Sequence, residues 1–159
     1  LGNSAGYKDL EKTPGAHNYR VGPKESGAVE IIDLNGEWIK LSKVSMLPGR
    51  SAARSTDDIS HYVIIAYTVQ PGEGGEARIV NSQIQRVLVK GSEKPPSPIS
   101  IYVNDKLIGS DNVKGYEPFA FDVPLGRLSA GDTVYIAYGC PEDSNPSTAN
   151  LQFQIEVGD

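Results

Sequence analysis

Leu151-Gln152-Phe153-Gln154-Ile155-Glu156-Val157 closes the chain with seven residues in strict apolar–polar alternation. A strand turns successive side chains to opposite faces, so this stretch is a half-buried β-strand. Leu151, Phe153, Ile155 and Val157 form its inner face, and Gln152, Gln154 and Glu156 face water.

The same grammar extends upstream. Strands are expected over residues 29–33, 37–42, 61–70, 78–90, 99–103, 106–108, 117–123, 132–138 and 150–157. Asn35-Gly36 and Asn104-Asp105 are hairpin turns, and Ala130-Gly131-Asp132 turns the chain into the strand that follows. Along 78–90 the apolar parity places Val80, Ile84 and Leu88 inward and changes near Gln85, which suggests a bulge there. Residues 43–59 carry no period and form a long connection. About nine short strands without a long amphipathic helix predict an all-β, antiparallel β-sandwich of jelly-roll type. Residues 1–27 are polar and punctuated by Gly and Pro, with a weak helical signal over 4–12. They are expected to be a lead-in or linker, and residues 28–159 the β-sandwich domain.

Composition narrows the function classes. The chain has 159 residues, enough for one domain with its own core, and 38% of them are hydrophobic. A formal charge of −5 argues against nucleic acid, which requires clustered Lys and Arg. No apolar run approaches the roughly 18 residues of a membrane span, so membrane insertion is not expected. The single Cys140 excludes an internal disulfide. The first residue is Leu1 rather than Met, which suggests a processed or excised piece, and the chain is expected to be part of a larger multidomain protein.

Catalytic and metal motifs are sparse. Gly72-Glu73-Gly74-Gly75 runs into a strand, whereas a phosphate cradle opens onto a helix. His17 and His61 are far apart, and with one Cys they form no zinc set. Paired carboxylates hydrolyse glycosides, but Asp57, Asp58, Glu73, Glu76, Glu117 and Asp122 are scattered over loops and outer strand positions. A non-catalytic protein is therefore expected. A structural calcium is the one candidate cofactor. Asp33-Leu34-Asn35-Gly36-Glu37 bunches oxygen ligands without the helix–loop–helix frame, and Asp57-Asp58 and Asp143-Ser144-Asn145 offer others.

The outer strand faces are more informative. Parity turns Trp38, Tyr62, Tyr102 and Tyr135 outward, together with Asn81, Gln83, Gln85, Gln152 and Gln154. Flat aromatics and uncharged amides suit sugars. A pyranose has an apolar C–H face that stacks on a ring, and hydroxyls that amides hydrogen-bond.

The C-terminal half strengthens this expectation. Ile101-Tyr102-Val103-Asn104-Asp105-Lys106, then Leu128-Ser129-Ala130-Gly131-Asp132-Thr133-Val134-Tyr135, and finally Ser147-Thr148-Ala149-Asn150-Leu151-Gln152-Phe153 resemble the jelly-roll carbohydrate-binding modules attached to bacterial polysaccharide-degrading enzymes. The resemblance covers residues 99–157. It implies a secreted or cell-surface bacterial protein whose partner is a polysaccharide or oligosaccharide. It also implies a calcium held by a Glu near the first strand, here Glu30 with Asp33 nearby. The family's Asp before the last strand is replaced by Asn145, Ser147 and Thr148. Two alternatives remain open. One is a structural or adhesive module packing on a partner domain. The other is a small polysaccharide hydrolase or lyase, marked by a carboxylate pair or by a cluster including His61 or Arg86.

Overall fold

The computed structural model describes residues 1–7, 28–34, 37–42, 45–54, 60–88, 91 and 93–158, with backbone alone over 28–42. Ten strands follow in chain order: β1 (Ala28–Leu34), β2 (Glu37–Ser42), β3 (Ser45–Leu47), β4 (Val63–Thr68), β5 (Gly75–Arg86), β6 (Ser97–Val103), β7 (Lys106–Val113), β8 (Val123–Leu128), β9 (Thr133–Tyr138) and β10 (Ala149–Gly158). They form a six-stranded sheet, β1-β2-β3-β10-β5-β8, and a four-stranded sheet, β4-β9-β6-β7. Every neighbouring pair is antiparallel. The fold is an antiparallel β-sandwich, as the alternation predicts.

The core lies where the inner faces meet. Ile79 and Ile84 of β5 and Leu151 of β10 face Val63 of β4, Val134, Ile136 and Tyr138 of β9, and Ile99 and Ile101 of β6. Phe153 and Ile155 continue the β10 stripe, and Phe153 meets Phe121 at 6.2 Å between ring centroids. Val157 departs from the expected inward set: it is 42% exposed near the end of β10.

Several expectations need correction. Within residues 43–59 lies β3, whose fully buried Met46 pairs with Leu41 on one side and Ala149 on the other. Three residues are too few to carry a readable period. The strand expected over 117–123 is instead a single bridge, Phe119 to Ile84, and the true strand is β8. Pro124 and Gly126 disguise it, but β8 pairs only with β5 and lies at the sheet edge, where Pro is tolerated. Gly126 takes φ +79° beside Leu125, the extra residue of a bulge opposite Ala77 and Arg78.

In β5 the irregularity falls at Asn81 (φ +50°), where Val80 pairs with Gln154 and Gln83 with Gln152. It does not fall near Gln85. The earlier bulge puts Ile79, Ser82, Ile84 and Arg86 inward, in place of Val80 and Leu88. Leu88 lies beyond the strand and is 53% exposed.

Candidate functional site

The four-stranded sheet turns a neutral face to the outside. Across its strands one row reads Ala66, Tyr135, Tyr102, Leu107, and the next reads Ile64, Ala137, Ser100, Ser110. Tyr135 and Tyr102 are direct cross-strand partners, so their side chains rise side by side. A shift in the β6–β7 register between Ile101 and Tyr102 leaves Ile108 to pack on the core and sets Leu107, 50% exposed, beside Tyr102. No charged residue belongs to these two rows.

Tyr62 extends the aromatic surface. Its ring lies against Gly139: a Cβ built there would sit 2.5 Å from the ring and 2.9 Å from Pro98 Cγ. Only glycine lets the ring settle onto the backbone. Burial pushes the Tyr62 hydroxyl pKa up, and the neighbouring Tyr102 adds to the shift. Tyr62, Tyr102 and Tyr135, expected from the sequence to face outward, thus share one surface.

Residues 1–7 supply a fourth tyrosine. Tyr7 meets Tyr135 edge-on, with ring centroids 5.2 Å apart and planes at 84°. Its hydroxyl pKa is raised by burial, and Tyr102, Asp105 and Tyr135 add to the shift. Parity could not find this contact, because a single 3-10 turn over Ser4–Gly6 has no sheet period. Residues 8–27, with His17, lie outside the described residues.

The amides lie elsewhere. Gln83 and Gln85 of β5 stand opposite Gln152 and Asn150 of β10, on the outside of the six-stranded sheet. Asn81 donates from Nδ2 to Gln154 Oε1 at 2.9 Å, and Gln85 donates from Nε2 to the Tyr116 carbonyl at 3.1 Å. The amides and the tyrosines therefore occupy opposite faces of the sandwich. The pleat reveals which side chains point outward, but not which sheet carries them.

Trp38, Glu30 and Asp33 belong to β1 and β2, where Trp38 pairs with Asp33 and Glu30 with Leu41. Their side chains lie outside the described residues, as do Asp57 and Asp58. The oxygens around residue 143 meet a cation of the protein's own. Arg54 donates to the Asp143 carbonyl at 2.8 Å and to Asn145 Oδ1 at 3.2 Å. Among the described residues no three His, Cys, Asp or Glu side chains gather into a metal-sized group.

Other candidates are engaged in holding the fold. Asp122 accepts from the Ser82 backbone N–H and hydroxyl, which hold its carboxyl below the usual range. Glu73 accepts from the Tyr67 hydroxyl and the Gln70 N–H, and its pKa is lowered in the same way. Arg86, 2% exposed, donates to the carbonyls of Gly115, Pro95 and Lys94 and to Ser97 Oγ. One of the three stretches that carry the resemblance, residues 128–135, is a turn into β9, as expected. Asp132 accepts from the Ser129 N–H at 2.8 Å and from Asn104 Nδ2 at 3.1 Å, while Gly131 takes φ +94°.

Comparison with protein families, with curated proteins and with solved structures finds no significant match to the chain. No helix among the described residues is long and apolar enough to cross a membrane. The chain is thus a β-sandwich module with an uncharged tyrosine-bearing face on its four-stranded sheet.

Proposed function

We propose that this is a non-catalytic carbohydrate-binding module, of jelly-roll type, that holds a polysaccharide on the outer face of its four-stranded sheet. The juxtaposition of Tyr62, Tyr102 and Tyr135 on one uncharged face carries this reading. The rings offer stacking surfaces, and Ser100, Ser110, Thr133 and Thr68 supply hydroxyls around them. Thr68 and Thr133 are themselves 3.0 Å apart, Oγ1 to Oγ1. The wrapping of β3 to β10 supports the jelly-roll assignment, because two four-strand sets, β3-β10-β5-β8 and β4-β9-β6-β7, interleave along the chain. Asp105 and Asp132 stand at the hairpin end of the face. Both carboxyls are held below their usual range, Asp105 by the Ser4 N–H and Asp132 by the Ser129 N–H and Asn104. With two carboxylates against the one exposed cation of the hairpin, Lys106, this rim favours neutral sugars over uronates and sulfated chains.

Binding to an immobilised polysaccharide panel is expected at micromolar to millimolar Kd, roughly −8 to −4 kcal/mol, because polar contacts exchange for water at little net gain. Salt should change it little. Tyr102→Ala and Tyr135→Ala should each weaken it, and Gln83→Ala on the opposite sheet should not. Binding unchanged in both tyrosine variants sinks the assignment of this face.

One observation favours a second reading, a module that packs on polypeptide. The same face already accepts the chain segment 1–7, and Ala66 and Leu107 leave apolar surface beside it. If no glycan binds, this reading takes precedence.

A further inference from the structure

Residues 1–7 lie where the saccharide is proposed to stack. Their hold is local and slight. Ser4 donates its N–H to Asp105 Oδ1 at 2.8 Å, and Gly2 donates its N–H to the Tyr7 hydroxyl at 3.0 Å. The turn closes through Gly6 N–H to the Asn3 carbonyl at 3.0 Å and Tyr7 N–H to the Ser4 carbonyl at 3.1 Å. No residue of the turn is buried, and Leu1 is 46% exposed. Besides the Ser4–Asp105 link, the segment is held by the Tyr7–Tyr135 ring pair. An edge-to-face pair sets ring C–H hydrogens against a π face. A stacked pyranose presents the same chemistry, C–H hydrogens on an aromatic face. Tyr7 therefore fills the space beside the Tyr135 ring with the same C–H/π chemistry that a sugar would use there.

We propose that residues 1–7 form an intramolecular cover over the tyrosine row, and that saccharide binding to Tyr135 requires the cover to lift. The inference rests on the saccharide reading above. It makes the open face a fractionally populated state, so the apparent affinity is reduced by that fraction. The two anchors are separable: Tyr7 holds the cover by its ring, and Asp105 holds it by its carboxylate at the β6–β7 turn. Either can be removed without touching Tyr62, Tyr102 or Tyr135.

Cellohexaose, mannohexaose and xylohexaose, titrated calorimetrically into the full chain and into Tyr7→Ala and Asp105→Ala, test the cover. Both variants should bind about threefold to tenfold more tightly than the parent, which corresponds to an open fraction of roughly a tenth to a third. In the parent, saturating hexasaccharide should move the Ser4 amide resonance to the position it takes in Asp105→Ala. Equal affinity in all three proteins, or a Ser4 amide unmoved at saturation, overturns the cover and leaves the saccharide face standing. Absence of binding in the parent and in both variants overturns both. Binding that appears only in the variants is the strongest support, since it shows a face closed by its own chain.

Discussion

Replacing Arg86 with Met tests whether one buried cation organises the end of the sandwich. Arg86 sits at the inward-facing end of β5 and reaches two separate loops at once. Nε donates to the Gly115 carbonyl at 2.9 Å, Nη1 to the Pro95 carbonyl and to Ser97 Oγ at 3.2 Å, and Nη2 to the Lys94 carbonyl at 3.4 Å. Its guanidinium also lies 4.8 Å from the Tyr116 ring centroid. Among the described residues its partners are oxygens of carbonyls and a hydroxyl, with no carboxylate.

Each of the better bonds to a charged donor contributes about 1.5–3 kcal/mol. The Lys94 bond is long enough to count for little. Against this stands the cost of burying the guanidinium, several kcal/mol, which Met does not incur. Water can re-satisfy the Pro95 carbonyl, because that loop residue is exposed. The net loss for Arg86→Met is therefore about 2–4 kcal/mol. For a chain of this length that is a fall in Tm of roughly 5–15 °C. Thermal and urea unfolding measure it, and amide exchange over 93–97 and 114–117 should quicken more than exchange in β9. Arg86→Lys should be almost as damaging, since an ammonium point charge cannot span both loops as the planar fork does. A Met variant within about 0.5 kcal/mol of the parent, or a Lys variant that restores it fully, refutes this account.

Two further predictions concern stability. Phe153→Ala removes a ring that packs on the core and on Phe121 and should cost about 2–4 kcal/mol in urea unfolding, whereas Gln154→Ala loses only the exposed bond from Asn81 and should cost well under about 1; equal losses would show that β10 presents the wrong face. Burial pushes the Tyr138 hydroxyl up to about 12, against an ordinary value near 10, while the hydroxyl donates to the Ser147 carbonyl. Between those values the folded state keeps a proton that the unfolded chain has lost. The contribution is complete below about pH 10 and fades as pH rises toward 12, by about 2–3 kcal/mol. Urea midpoints should accordingly fall more steeply from pH 9 to 11 in the parent than in Tyr138→Phe, and parallel curves would remove Tyr138 as the cause.

Strand existence and facing were legible wherever the alternation was clean. Strands β6 and β9, and β10 as far as Ile155, present the expected inner residues because a period of two leaves no freedom once one face is buried; Val157, near the strand end, escapes it. The hidden strands had local reasons: β3 is three residues long, and β8 contains the Pro and Gly that usually exclude a strand. The bulge in β5 falls earlier than the apolar parity suggests because its cause is a pairing event, Asn81 slipping out of register against β10. Nothing in the residues of β5 alone records that partner.

The outward tyrosines and amides were readable one strand at a time. Their division between the two sheets was not, because a pleat fixes the side of a strand and only the interleaved strand order fixes its neighbours. The same limit hid Gly139 beneath Tyr62 and Tyr7 upon Tyr135, contacts between segments far apart in the chain. By itself the sequence determined the β-sandwich class, the burial of its regular strands and the outward turn of their tyrosines and amides. Tertiary structure decided which tyrosines meet, that Arg86 is an internal tie, and that residues 1–7 lie on the tyrosine face. Periodicity is a property of a single segment, whereas a site is made where several segments converge.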